Sequence, residues 1–552
     1  MHDMHESMSE YDETTPVLIV GGSLVGLSMS LFLSWHGIPS LLVESHSGIS
    51  PHPRAFDFNM RTMELFRTVG AEEAIRQAEP AAYRNSGVLQ AESLAGRELH
   101  WITQDATATE NDLSSVSGSL VGQDLMEPIL HARAAELGGD LRFHTELVSF
   151  EQDANGVNAL IRDRTSGVER RIRACYLVAA DGNRSAIRKQ LGIEVHGHGL
   201  QGYQLSILFS ADIQEALRER KIAICFVNNA TLRGGTLILA RGEGRGYGLY
   251  AHYHPEKGEQ VEDFFGARGI EVVRAAIGIP DLPVEIVGVI PWEVAAWTAE
   301  RFQQGNVFLV GDSAHVNPPT GAFGANTGIA DAYNLAWKLA FVLKGEAGSD
   351  LLSTYTTERQ PVDNFTVEQA FAWFARFASP AAAKLAVPAL DYDTIAFGYR
   401  YPARPGSSQK QECYEDPHHP TGSPGTHAPH VVLQRQDARI STFDLFGRHF
   451  VLLTGPDGQN WKDAARYAAK QSGIVLDTYC IGATGDLLDT HDHFLAAYGV
   501  GPSGAVLVRP DGFIAWRAES AYKDGGPALE MVLAQQLGRS VISTSNETAY
   551  TR

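Results

Sequence analysis

A chain of 552 residues is too long for a single hydrophobic core, so two or three domains are expected. Hydrophobic content of 44% with 20% charged residues is that of an ordinary globular protein, and a net charge of −20 excludes the broad basic face that nucleic-acid binding requires. Cys175, Cys225, Cys413 and Cys480 have neither CxxC nor zinc-ligand spacing, which excludes a disulfide framework and a zinc module and suits reduced thiols in a cytoplasm.

In chain order, residues 1–15 are polar and acidic, with no apolar run behind a basic start, and read as a disordered tail without a signal peptide. Val17–Val20 is β-rich, Leu24–His36 has helical length and pattern, and Leu41–Glu44 is a second apolar strand, which together make a βαβ unit and a parallel sheet. Val17 to Trp35 is apolar enough to imitate a membrane span, but Gly21, Gly22 and Gly26 predict strand, tight turn and buried helix instead. Cys175–Ala180 and Val307–Val310 are further buried strands, running into Asp181-Gly182 and Gly311-Asp312, and a helix is predicted from about Ala325 to Leu343. Between them Ile222–Val227, Gly235–Arg241 and Tyr247–His254 predict an antiparallel sheet, the natural floor for a substrate. Tyr401–His430, dense in Pro, Gly, Ser and His, reads as a linker or wrapping loop. Strands at Phe450–Leu453, Ile474–Cys480, Ala505–Arg509 and Phe513–Trp516, with a final helix over Leu529–Leu537, predict a small separate α/β domain.

The turn Gly21-Gly22-Ser23-Leu24-Val25-Gly26 sits between strand and helix, where a pyrophosphate needs bare backbone N–H groups. Gly21 makes the turn and Gly26 lets helix and sheet approach; Ser23 replaces the middle glycine of G-x-G-x-x-G, so the turn alone is an even choice between nucleotide site and structural glycine turn. Glu44 ends the second strand, placed to accept from an adenosine ribose, and an acid there repels a 2′-phosphate, which favours FAD or NAD over NADP. Asp181 follows a buried strand, and Gly311-Asp312-Ser313-Ala314-His315 precedes Pro318-Pro319-Thr320-Gly321 and Gly324-Ala325-Asn326-Thr327-Gly328. There a strand-end aspartate can bind ribityl hydroxyls, and a glycine-rich helix start can face the negative edge of a reduced flavin. Gly311–His315 fails the G-x-S-x-G elbow because it ends in His, and the pairs His252/His254 and His491/His493 have no matching distant cluster, so no metal is expected.

With those segments in that order and spacing, the chain resembles the single-component FAD-dependent aromatic hydroxylases of the p-hydroxybenzoate hydroxylase fold, from about Val17 to Pro361. It looks most like bacterial hydroxylases of aromatic polyketides such as anthracyclines, through His52-Pro53-Arg54-Ala55, Asn59-Met60-Arg61-Thr62-Met63-Glu64 and the Pro-Pro-Thr-Gly helix start. The resemblance implies an α/β FAD-binding domain of Rossmann-like, glutathione-reductase type over 16–195 and 285–400, with part of 85–120 near the substrate region. It implies an inserted β-rich substrate domain over 196–284, a linker over 401–430, a thioredoxin-like domain over 431–540 and a tail over 541–552. Cofactor contacts implied or read from the motifs are Gly21, Ser23, Leu24, Val25, Gly26, Glu44, Arg54, Gln123, Asp181, Gly311, Asp312, Pro319, Gly324, Ala325 and Asn326. Arg133 is either a further contact or a surface salt bridge, and Arg359 reads as a structural ion pair. Cys225 and Phe226 lie on a strand of the substrate sheet and are candidates to line a pocket, although core packing explains either.

The activity implied is a monooxygenase: NADH or NADPH reduces FAD, O2 adds to give a flavin C4a-hydroperoxide, and an electron-rich polycyclic phenol takes one oxygen atom. A phenolate would react better than a phenol, but the sequence names no base. The alternatives are a flavin oxidase or Baeyer–Villiger-type monooxygenase on the same fold, or a non-catalytic flavoprotein that binds an aromatic antibiotic. A monomer or homodimer is expected, with no nucleic-acid or membrane partner. The last domain has only Cys480 where a redox thioredoxin needs Cys-x-x-Cys, so it reads as a structural or interface module without that chemistry.

Overall fold

The computed structural model describes residues 11–49, 55–81, 86–104, 112–239, 246–378, 384–402, 412–483, 485–521 and 525–539. The chain divides into two compact units, Met1–Tyr333 with Arg359–Phe397, and Asn334–Glu358 with Gly398–Arg552.

The first unit holds two sheets. Its strands begin with β1 (Glu13–Val20), β2 (Ser40–Glu44), β3 (Gly87–Ala91), β4 (Glu98–Thr103), β5 (Asp140–Phe143), β6 (Thr145–Asp153), β7 (Gly156–Asp163) and β8 (Glu169–Ala179). They continue with β9 (Val195–Ser210), β10 (Ile222–Asn228), β11 (Arg233–Ile238), β12 (Tyr247–Tyr253), β13 (Glu285–Ala299), β14 (Gln303–Gln304), β15 (Val307–Leu309) and β16 (His315–Val316). The helices that matter here are α1 (Leu24–Trp35), α2 (Met60–Thr68), α3 (Gln123–Glu136), α4 (Ala267–Ile277), α5 (Phe323–Leu343), α6 (Asp350–Ala378) and α7 (Tyr392–Phe397).

The first sheet runs β14-β15-β8-β1-β2-β5, with β15, β8, β1, β2 and β5 parallel and the β6–β7 hairpin added through β8. Val17, Leu18 and Ile19 are wholly buried, as expected of a central parallel strand covered on both faces. β1 begins at Glu13, earlier than the expected Val17, because β-prone Thr14 and Thr15 extend it and Glu13 pairs with Arg142 and Arg170. Residues 13–15 therefore belong to the sheet and not to a tail. The second sheet runs β16-β13-β9-β12-β11-β10-β3-β4 and is antiparallel except where β10 meets β3. It exceeds the expected 196–284 insert because β13 carries it to Ala299, while β3 and β4 join from the 85–120 region, part of which was expected near it. One face packs on α4 through Leu205, Ile207, Phe209, Leu237, Leu249 and Val273.

In the second unit, β17 (Val432–Arg435) and β18 (Ala438–Ser441) form a hairpin. β19 (Phe450–Thr454), α8 (Asn460–Ser472), β20 (Leu476–Cys480), β21 (Ala505–Val508), β22 (Ile514–Ala518) and α9 (Gly525–Gln536) follow. The order is β20-β19-β21-β22, with β19 parallel to β20 and the other pairs antiparallel. Trp337, Phe341 and Leu351 belong to its core with Phe450, Leu452, Trp461 and Leu529. Beside them buried Lys338 (2.7 Å) and Arg509 (2.6 Å) meet the Glu358 carboxylate. Among the described residues no helix is long and apolar enough to cross a membrane.

Candidate active site

The first glycine turn is made by exclusion. Gly21 adopts φ +111°, and a Cβ there would lie 2.2 Å from the Ala180 carbonyl oxygen; at Gly26 it would lie 1.9 Å from that of Gly21. Only glycine lets the turn lie against the end of β8 and α1 start beside it. Ser23, standing where a glycine is usual, donates its hydroxyl to Glu127 Oε1 (2.7 Å) and accepts from Gln123 Nε2 (2.9 Å). Gln123 also reaches Glu127 Oε1 at 2.7 Å, and its main-chain N–H donates to the Ala55 carbonyl at 2.7 Å. Arg54 lies outside the described residues. Glu44 Oε2 accepts the Gly22 N–H at 2.6 Å and its other oxygen accepts the His46 N–H at 2.8 Å. Burial raises the Glu44 pKa, but the His46 and Gly22 donors outweigh it and hold the carboxyl below its ordinary range, ionised and able to accept.

Leu24 is buried, and Val25 locks this turn to the distant Gly-Asp segment. A Cβ at Gly311 would lie 2.9 Å from a Val25 methyl, and one at Gly328 2.7 Å from it. Segments nearly three hundred positions apart thus form one floor, on the order expected when a parallel sheet gathers its strand ends.

The two strand-end aspartates differ. Asp181 Oδ2 accepts the Ile187 N–H at 3.2 Å, whereas Oδ1 is buried with no partner and burial raises the carboxyl. Asp312 is exposed, on a turn whose Gly311 has φ +59°. The Gly311 N–H donates to Asp331 Oδ2 at 3.0 Å, and that oxygen lies 2.7 Å from His315 Nε2. Arg359 donates from Nε to Asp331 Oδ1 (2.8 Å) and from Nη2 to Asp363 Oδ1 (2.6 Å), all four side chains being buried. Arg359 is therefore the structural ion pair expected. Burial pushes His315 down, but Asp363 and Asp331 outweigh it and raise it to about 9. Burial likewise opposes ionisation of Asp331, yet Arg359 and His315 hold it well below the carboxylate range. His315, Asp331 and Asp363 have ligand-type atoms within 4.8 Å of one another, but the Arg359 guanidinium already supplies the cation. Among the described residues neither His252/His254 nor His491/His493 gathers a third ligand. Ser313 is fully buried and donates to the Ala179 carbonyl at 2.7 Å, which removes it as a nucleophile.

At the start of α5, Pro319 is exposed and Ala325 half-buried, and a Cβ on Gly324 would meet nothing nearer than Asn317 at 3.9 Å. Gly324 thus leaves room for a neighbour beside this helix start. Asn326 is a clamp: Oδ1 accepts from the Asn59 N–H (3.0 Å) and Thr62 Oγ1 (2.6 Å), and Nδ2 donates to the carbonyls of Asp57 (3.0 Å) and Ala322 (2.8 Å). Its side chain positions residues 57–62 and has no capacity left over for a ligand. Sequence reasoning missed Asn317, whose side-chain nitrogen and oxygen are buried without partners; an amide before Pro-Pro, inside the glycine-rich segment, was the available signal. Arg133 donates to the Val69 carbonyl at 3.0 Å and pairs with Glu136 at 3.0 Å, the surface salt bridge of the two readings.

Neighbours on a strand point to opposite faces, which separates the two pocket candidates. Cys225 is wholly buried in the α4-side core, where burial pushes its thiol up to about 12, so it does not line the open face. Phe226 is 37% exposed on the other face, in register with Thr236, which pairs with Tyr250, itself paired with Ser206. Trp292 packs edge-on to Tyr250 with ring centroids 5.9 Å apart. Phe56 and Tyr250 pack with Leu120, Ile224 and Ile238 on this same side.

These features fit a flavin dinucleotide. The turn excludes side chains where a pyrophosphate would lie, Asp181 keeps a buried oxygen without a donor, and Gly324 leaves room beside the start of α5. The family described as FAD binding domain matches residues 14–370, and that described as aromatic-ring hydroxylase, C-terminal, matches 421–540. The chain is 43% identical over 539 residues to 4-methyl-5-nitrocatechol 5-monooxygenase of Burkholderia sp, covering 96% of this chain and 98% of that protein. It is 38% identical to tetracenomycin A2 monooxygenase-dioxygenase of Streptomyces glaucescens, covering 96% and 98%. Among solved structures, aklavinone-11 hydroxylase in a ternary complex with FAD and aklavinone superposes with TM-score 0.88 at 37% identity, over 95% of this chain and 99% of that one.

Proposed function

The chain belongs to the FAD-dependent aromatic-ring hydroxylases and is a monooxygenase, and we propose that it hydroxylates a polycyclic phenol of the polyketide type. The observation that carries the substrate class is the open face of the second sheet, where Phe226, Tyr250 and Trp292 offer a broad aromatic floor. The tetracenomycin and aklavinone relatives, which act on or bind such molecules by name, support the same reading.

When bound, FAD supplies the redox chemistry that puts one oxygen atom of O2 on the ring, with NADH or NADPH as our proposed reductant. The protein's part is to bind, orient and exclude water. On this reading the Gly21–Gly26 turn offers its N–H groups to the pyrophosphate, Glu44 accepts from the ribose, and Asp181 and Asp312 accept hydroxyls of the cofactor chain. Gln123 and Ser23 close the turn, and the Gly324–Ala325 helix start faces the flavin ring. The C-terminal module is proposed to be thioredoxin-like, supported by its β20-β19-β21-β22 order and by the pattern of parallel and antiparallel pairs. Buried Cys480 accepts from Gln459 at 3.3 Å and has no second thiol, which supports a structural role. Free thiols throughout support a reducing, cytoplasmic setting.

A single-ring nitrocatechol is the second reading, favoured by the Burkholderia relative. Oxygen-dependent NAD(P)H consumption, measured against polycyclic phenols and 4-methyl-5-nitrocatechol with product analysis, tests both. A higher kcat/KM for the polycyclic set supports the first; turnover confined to the nitrocatechol overturns it.

A further inference from the structure

The segment Ala55–Asn59 runs where the cofactor and substrate features meet. Gln123, which closes the glycine turn, receives its main-chain contact from Ala55; Phe56 packs on the open side of the substrate sheet; Asn326 at the start of α5 holds the Asp57 carbonyl and the Asn59 N–H. Phe58 is pinned from both sides by Ser119, at 2.9 and 2.7 Å. Every neighbour in this segment is therefore tied down.

The Asp57 side chain is the exception. Among the described residues its carboxylate accepts no hydrogen bond and meets no cation, and burial alone pushes it up to about 6. The titratable group that faces it is Tyr392 of α7, whose phenol is pushed far above its ordinary value by burial and by Asp57. Tyr392 stacks on Phe323, the first residue of α5, with ring centroids 5.4 Å apart. Asp57 is half-buried, and a carboxylate partly withdrawn from water with no partner costs stability and persists where a ligand completes it.

We propose that Asp57 accepts the proton of the substrate's ring hydroxyl. This deepens, and depends on, the reading of the substrate as a phenol. The O–H bond breaks, its proton passes to an Asp57 carboxylate oxygen, and the electron pair left behind delocalises into the ring, enriching the carbon that receives the oxygen atom. Oxidant and reductant are those of the family's reaction. A carboxyl raised towards neutrality is a better base than an ordinary aspartate and is still ionised at pH 7.

Asp57→Asn in the FAD-loaded protein tests this, against phenols graded from weakly acidic to nitro-substituted. The variant should keep its FAD and unfold no earlier than wild type, since an uncompensated charge has been removed. Hydroxylation of weakly acidic phenols should fall about 100-fold, with the deficit closing for nitrophenols already ionised in solution. The wild-type rate should drop as pH falls through about 6, a limb the variant lacks. Binding gives a readout independent of turnover: above both pKa values, wild type takes up a proton on binding a nitrophenolate and Asp57→Asn does not. An equal deficit for every phenol, no deficit, or equal proton uptake overturns the role of Asp57. Failure of wild type itself to hydroxylate any phenol while holding FAD overturns the substrate reading instead.

Discussion

The nucleotide-binding frame and the substrate sheet of the first unit treat their polar groups in opposite ways. In the frame most groups are held by another, Asp181 Oδ1 and Asn317 excepted: Ser23 by Glu127 and Gln123, Gly311 by Asp331, Asn326 by four bonds. On the open face beside Phe226 the side chains are aromatic and partly uncovered, and Asp57, next in the chain to Phe56 of that side, has no partner. A site for one constant ligand is organised in advance, whereas a site whose substrates differ between relatives is left to be completed by the substrate.

The largest break in that comparison should come at the base of the frame. Asp331→Ala leaves Arg359 and His315 buried beside too little negative charge, and should cost about 3–5 kcal/mol of stability in denaturant unfolding. Because the carboxylates raise His315 to about 9, its contribution is complete below the ordinary histidine range and is lost as pH rises through about 9. The wild-type unfolding midpoint should therefore decline in that alkaline window, and His315→Asn should flatten the decline. Next is Gly26→Ala, whose methyl would lie 1.9 Å from the Gly21 oxygen. It should cost about 1–3 kcal/mol and release FAD, seen as loss of flavin absorbance from the purified protein.

The smallest effects should fall on the sheet and separate its faces. Cys225→Ala should cost about 1 kcal/mol with an unchanged KM. Phe226→Ala should stay within about 0.5 kcal/mol of wild type and raise KM for a polycyclic phenol several-fold. If Cys225→Ala alters KM while Phe226→Ala does not, the assignment of the two faces is reversed.

The frame was readable in the sequence because its constraints are local. A glycine that must take a left-handed φ, an acid ending a strand and an aspartate after an apolar run each leave a short signature, and Gly21, Glu44, Asp181 and Asp312 lie at the strand ends where those signatures put them. The sheet was less readable because its logic is in register. Cys225 and Phe226 are adjacent in sequence, and only the pairing with β11 and β12 tells which faces the core. The long strands Val195–Ser210 and Glu285–Ala299 were missed because glycines and register shifts break their alternation. Asp57 gave no signal at all, since its meaning comes from what does not touch it.

The most direct test of aromatic hydroxylation by this chain is turnover of a phenolic substrate under isotopically labelled dioxygen, with FAD bound and NAD(P)H supplied. An intact ring carrying one labelled oxygen atom is the result predicted. An unlabelled product, a ring opened by oxygen insertion, or NAD(P)H oxidation that no aromatic compound stimulates would contradict it.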